Sequence, residues 1–149
     1  IAILLPTCYE FCPTFFGIQM AGSIPVSLYP PIKLGKISEW KTQTFHNLAH
    51  VGVKLVITNS AINKVLGEPL HLAKVRLGSH LIQEILKTSE LFRPEDVIGS
   101  INEVAFLQFS SGTTGHSKAV TITHKNALAN ADAIMRGLNH DPKSSRAVS

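Results

Sequence analysis

Val104-Ala-Phe-Leu-Gln-Phe-Ser-Ser-Gly-Thr-Thr-Gly-His-Ser-Lys-Ala-Val-Thr-Ile-Thr-His-Lys125 is the stretch that decides how this chain is read. An apolar run, Val104 to Phe109, stops abruptly in a nine-residue loop, Ser110 to Lys118, and a second apolar run, Ala119 to Ile122, follows. The pattern predicts a strand, a polar loop and a second strand running back beside the first. The loop carries five hydroxyls (Ser110, Ser111, Thr113, Thr114 and Ser117), two glycines (Gly112 and Gly115) and Lys118. Glycine permits the positive φ that lets successive backbone N–H groups converge on an anion. Small hydroxyls add donors without bulk, and a lysine ammonium adds a compact charge with three donors. This chemistry suits the phosphates of a nucleotide, although the same composition also describes a mobile polar connection between two strands. A Walker A loop is excluded, because Gly112 and Gly115 stand too close together and Lys118 leads into a β-like run.

Upstream, apolar runs alternate with amphipathic segments. Ile1 to Leu5, closed by Pro6, reads as a buried parallel strand. Tyr9 to Ala21 reads as a helix rich in core side chains, with Pro13 in its first turn and Gly22 placed to stop it. Ile24 to Tyr29 is a second strand, ended by Pro30 and Pro31. Lys36 to Val51 places Ile37, Trp40, Thr44, Phe45, Leu48 and Val51 on one helical face, and Val53 to Thr58 is a third strand. Strand, helix, strand, helix, strand argues for a parallel sheet wrapped by helices, an α/β fold.

The middle of the chain is less regular. A short helix is expected over Asn59 to Leu66, a short strand around Ala73 to Leu77 and a helix over Gly78 to Thr88, with Arg93 to Asp96 as a polar connection. After the hairpin, Thr123 is a good N-cap for a last helix carrying Ala127, Leu128, Ala131, Ile134, Met135 and Leu138. No internal repeat or low-complexity linker interrupts the sequence.

Length and composition bound the possibilities. The 149 residues suffice for one domain with a real core, and 44% hydrophobic with 16% charged residues suits a globular protein. The net charge of +4 comes from scattered basic residues, which argues against nucleic-acid binding. Cys8 and Cys12 make neither a disulfide framework nor a zinc site; on a helix they are spaced as small buried thiols, which fits a reduced, cytoplasmic setting. No apolar run approaches the roughly 20 residues of a membrane span. The chain opens inside one apolar run and ends without a terminating element, so residues 1–149 are expected to be an internal piece of a longer protein.

The run Ser110-Ser-Gly-Thr-Thr-Gly-His-Ser-Lys-Ala-Val120, preceded by Ala105 to Phe109, resembles the phosphate-binding signature of the adenylate-forming, AMP-binding enzymes. That superfamily includes acyl-CoA synthetases, fatty acyl-AMP ligases, luciferases and peptide-synthetase adenylation domains. Ser117 stands where its pattern has proline, and Ala119 where it has glycine. Phe15 to Pro31 is similar to the family's helix-then-strand segment ending in a proline turn. The Tyr29-Pro-Pro31 ending with Trp40 following resembles the fatty acyl-AMP ligases most, and Thr123-His-Lys-Asn126 matches the family's entry to the next helix.

The resemblance implies part of the large N-terminal domain of an adenylate-forming enzyme, a partial AMP-binding domain truncated at both ends. It implies ATP and Mg²⁺ as cofactors, with the metal's acidic ligand outside these residues. The partners implied are a fatty or other carboxylic acid and, as acceptor, an acyl carrier protein or CoA. Ser110, Ser111, Gly112, Thr113, Thr114, Gly115 and Lys118 would hold the triphosphate. No catalytic residue proper is assigned, and the adenine, ribose and adenylation-lysine motifs lie beyond such a loop. The alternatives are an acyl-CoA synthetase using free CoA, and a non-catalytic nucleotide-binding or scaffold homologue. His46 and His50 are i and i+4 on the amphipathic helix, but without the glutamate of a zinc motif they read as surface side chains. His116 is read as solvent-facing within the loop, His124 as a local packing residue at a helix start, and Trp40 as core.

Overall fold

The apolar run at the start of the chain becomes the axis of a sheet. In a computed structural model, which describes residues 1–31, 34–87, 99–110 and 117–138, strand β1 (Ala2–Leu4) lies inside a six-stranded sheet. The other strands are β2 (Val26–Ser27), β3 (Val56–Thr58), β4 (Ser79–Leu81), β5 (Val104–Ser110) and β6 (Lys118–Thr123). Their order is β4-β3-β1-β2-β5-β6, all parallel except β6, which runs antiparallel to β5. Helices α1 (Phe11–Met20), α2 (Ile37–His50), α3 (Ser60–Leu72), α4 (Ile82–Ile85) and α5 (His124–Gly137), with a short 3-10 helix over Leu34–Lys36, complete the described elements.

Because successive side chains of a strand point to opposite faces, β1 feeds two cores. Ala2 and Leu4 meet Val26, Val56, Leu48 of α2 and Leu66 of α3 on one face. Ile3 and Leu5 meet Ile57, Ile18 of α1 and Ile82 of α4 on the other. A strand buried on both sides must be apolar throughout, which is why the run carries no alternation. The buried hydroxyl of Thr58 is satisfied by donating to the Leu4 carbonyl at 2.9 Å. Helix α1 reaches β5 through the Phe15 and Phe106 rings, 5.4 Å apart edge to face, and through the Gln19 amide, which donates to the Ala105 carbonyl at 2.8 Å.

The crossover helices stop in the same way. After α1, Gly22 (φ +68°) donates to Gln19 and Ser23 to Ile18; after α2, Gly52 (φ +60°) donates to Ala49 and Val53 to Leu48. This paired bonding is a Schellman motif, which ends a helix by placing one residue in the left-handed region. After α3 the same bonds run from Lys74 to His71 and from Val75 to Leu70, with Lys74 at φ +52°. A lysine there loses about 1–2 kcal/mol to clash of its Cβ. Lys74→Gly should stabilise the protein by about 0.5–1 kcal/mol, once the greater freedom of unfolded glycine is deducted. An unchanged or lower urea midpoint would contradict this.

Several expectations need correction. Helix α3 runs on to Leu72 instead of ending at Leu66, through Gly67 and Pro69. Pro69 removes one backbone donor, but it is fully buried along with Leu66, and packing against the sheet outweighs the local penalty. Asn59, the expected first residue of α3, is its N-cap, accepting from Ile62 N–H at 2.9 Å. Ala73 to Leu77 is turn rather than strand, and Gly78 to Thr88 is not one helix: Ser79–Leu81 pairs with β3, and only Ile82–Ile85 is helical. Cys8 precedes α1, and Cys12, expected to be buried, is exposed. Thr123 caps α5 as expected, in a capping box with Asn126, yet α5 buries none of its residues. Arg93 to Asp96 and Thr88 lie outside the described residues.

Candidate functional site

The five parallel strands end at the carboxyl edge of the sheet, and the β5–β6 hairpin opens there. Its last rung pairs Ser110 of β5 with Lys118 of β6, so both ends of the glycine- and hydroxyl-rich loop are held by the ladder. The Ser110 hydroxyl also leans across toward the Lys118 carbonyl, at 3.4 Å. Ser110 and Lys118 are therefore brought together at the carboxyl edge, both exposed. Lys118 has no ion-pair partner among the described residues, so its charge is available to a ligand. Ser111, Gly112, Thr113, Thr114, Gly115 and His116 lie outside the described residues.

The topology makes this edge a place for ligands. From β1 the chain passes along one face through α1 to β2; from β2 it returns over β1 along the other face through α2 to β3. Loops leaving β1 and β2 thus diverge and leave a crevice at their carboxyl ends, the usual ligand position in open α/β sheets. On the α2 side lies a cavity of about 520 Å³ lined by residues that include Tyr29, Trp40, Gln43, Asn47, Phe109, Ser110 and Ser117. Its polar groups come from α2 and the hairpin. The Gln43 amide donates to Asn47 Oδ1 at 2.9 Å and to Ser117 Oγ at 3.0 Å. Its aromatic wall is fixed by the Trp40 indole N–H, which donates to the Tyr29 carbonyl at 2.9 Å. Trp40 packs on the core, as expected, and also borders this cavity.

His46 and His50 are exposed, and with Lys118 they line an adjoining cavity that shares Gln43, Asn47 and Ser117. The His50 ring sits 6.3 Å from that of Phe109, and the His46 ring 4.7 Å from that of Phe45. His124 is the first residue of α5, and its backbone N–H donates to the Glu103 carbonyl at 3.1 Å. Gln43 and Asn47 were not anticipated from the sequence. On an amphipathic helix they read as solvent-facing polar positions, and no local signal distinguishes one that reaches a hairpin 74 residues away.

The Cys8 thiol is held above its usual pKa by burial and by the neighbouring Glu10, whose carboxyl is held below its own by the bond from Cys8. A thiol that stays protonated at neutral pH is a poor nucleophile and metal ligand. Among the described residues no group of three or more His, Cys, Asp or Glu side chains converges to hold a metal ion. Nor is any described helix long and apolar enough to cross a membrane.

The sequence model of the AMP-binding enzymes matches residues 1–148. The chain is 27% identical over 139 residues to the 4-coumarate–CoA ligase-like 6 protein of Arabidopsis thaliana, covering 91% of this chain and 24% of that protein. It is 26% identical over 163 aligned positions to the long-chain-fatty-acid–CoA ligase of Escherichia coli O157:H7, covering 90% of this chain and 29% of the relative. Among solved structures, a chain from the fatty acyl-adenylate ligases of E. coli and L. pneumophila superposes with a TM-score of 0.79 at 26% identity, over 95% of this chain and 25% of its own length. The chain thus spans about a quarter of the length of the proteins it matches.

Proposed function

Because the chain belongs to the AMP-binding enzyme family, an adenylate-forming ligase family, we propose that it is the phosphate-handling part of a ligase that activates a fatty or other carboxylic acid with ATP. A carboxylate oxygen attacks the α-phosphorus, the bond to pyrophosphate breaks, and an acyl-adenylate forms. A thiol then attacks the acyl carbon, loses its proton, and AMP departs. The observation that carries this reading is the hairpin base, where Ser110 and Lys118 are locked opposite each other at the carboxyl edge of a family-matched sheet.

In this reading Ser110, Ser111, Thr113, Thr114 and the N–H groups around Gly112 and Gly115 hold the β- and γ-phosphates, and Lys118 offsets the charge that grows on the leaving pyrophosphate. A Mg²⁺ travelling with the triphosphate would take its protein ligand from elsewhere in a longer protein, of which residues 1–149 are a partial adenylation domain.

The acceptor is proposed to be the phosphopantetheine thiol of a carrier protein. The Tyr29-Pro-Pro31 turn and the structural likeness to fatty acyl-adenylate ligases support this. The E. coli relative, a CoA ligase by name, favours free CoA as the second reading. Incubating the full-length protein with a fatty acid, ATP and either acceptor decides between them. Acylated carrier protein should form readily and acyl-CoA slowly; rapid acyl-CoA formation would move the protein to the CoA-ligase group.

A further inference from the structure

Helix α2 is an unusually well-anchored neighbour for the hairpin. Thr44 and Leu48 are buried, and the Trp40 indole ties the start of the helix to the Tyr29 carbonyl. From the exposed side of this fixed rod, Gln43 reaches the residue that leads into β6. Its amide bridges two acceptors, Asn47 Oδ1 one turn along the same helix and Ser117 Oγ across the groove. Asn47 orients the amide and Ser117 receives it, so neither donor is aimed by chance.

Ser117 precedes Lys118 directly and stands where the family pattern has proline. A proline there restricts the chain by covalent geometry, fixing φ near −65°. Serine leaves φ free, and its hydroxyl offers a handle that proline lacks. We propose that Gln43, oriented by Asn47, is a positioning residue that clamps Ser117, taking over by hydrogen bond the restraint that proline would supply and so fixing the backbone from which Lys118 extends. Gln43 touches no substrate in this role and acts through Ser117. The inference rests on the proposed phosphate role of Lys118 for its effect on catalysis, but the clamp itself exists without nucleotide.

The test uses the full-length protein with Gln43→Ala, Ser117→Ala, the double variant, Ser117→Pro, and Ser117→Pro combined with Gln43→Ala. Acid-dependent ATP–pyrophosphate exchange gives KM for ATP, KM for the acid and kcat. Gln43→Ala and Ser117→Ala should each raise KM for ATP or lower kcat by roughly 3- to 10-fold, the worth of one neutral hydrogen bond, with KM for the acid unchanged. The double variant should be no worse than either single one, because both remove the same contact. Ser117→Pro should restore activity toward wild type and make Gln43→Ala silent. Additive losses, an equal effect on the acid's KM, or a Gln43→Ala penalty that survives beside Ser117→Pro would overturn the clamp and leave Gln43 as a packing residue. Amide hydrogen exchange at Lys118, measured without ATP, should speed up in Gln43→Ala but not when Ser117→Pro, which has no amide proton of its own at 117, is also present. That readout separates the two ideas: a wild-type protein without exchange activity defeats the ligase reading, whereas unchanged amide protection defeats the clamp.

Discussion

Lys118→Ala in the full-length protein is expected to lower acid-dependent ATP–pyrophosphate exchange by about 10²-fold, comparable to losing one preorganised charge-stabilising donor. The side chain is exposed at the first residue of β6 and has no ion-pair partner among the described residues. Its backbone is paired with Ser110, so the charge is tethered within a short radius of the loop exit. A charge that acts on the leaving pyrophosphate should matter to the chemical step far more than to the acid, whose binding should change little. Wild-type exchange by the variant at subsaturating ATP would show that the phosphates sit elsewhere.

The other large effect concerns residues 1–149 produced alone, which should make no acyl-adenylate and should self-associate. Effective molarities of about 10⁵–10⁸ M come from holding all reactants in one geometry. The hairpin proposed to hold phosphate, without the remaining three quarters of a typical relative, would supply only a few charge-assisted hydrogen bonds in open water. Helix α5 adds a physical liability. Leu128 is 61% exposed, Ile134 51% and Leu138 72%. Burying a side chain of this kind contributes about 1.5–3 kcal/mol, and without that cover the helix is a surface for aggregation. Sustained acid-dependent pyrophosphate release from a monomeric preparation would mean that the catalytic machinery lies within these residues.

The hairpin and the helix after it were legible in the sequence because their signals are local. Val104 to Phe109 and Ala119 to Ile122 are apolar runs separated by a polar loop, and Thr123 with Asn126 three residues later forms a reciprocal cap. The α/β alternation before residue 58 was equally plain. Strand β4 was misread because Ser79-His-Leu81 is too short to show a period; it is extended only because β3 offers it a ladder. Helix α3 was cut short because Gly67 and Pro69 are local breakers, and only its buried face against the sheet carries it past them. At the candidate site, the pairing of Ser110 with Lys118 follows from the strand–loop–strand order of the sequence. Gln43 was not legible in this way, since its partner is brought near by the crossing of α2 over the sheet.

The glycine stops carry a further meaning for how the chain keeps its place. Along β1 and β3 nearly every side chain is apolar and buried, so the sequence of polarities is mute about phase: shifted by one residue, β3 would still present oil to both sides. Half-exposed strands escape this ambiguity because a slip drives apolar groups into water. Here distance takes over from polarity. Gly22 precedes Val26 by four residues, Gly52 precedes Val56 by four, and both valines come to rest opposite Ala2. The third crossover runs five residues, from Lys74 to Ser79, and spends its extra residue on a second left-handed turn at Gly78. The helix ends therefore act as a metronome, and it is the count from each stop, not the taste of each side chain for water, that assigns a residue to one core or the other.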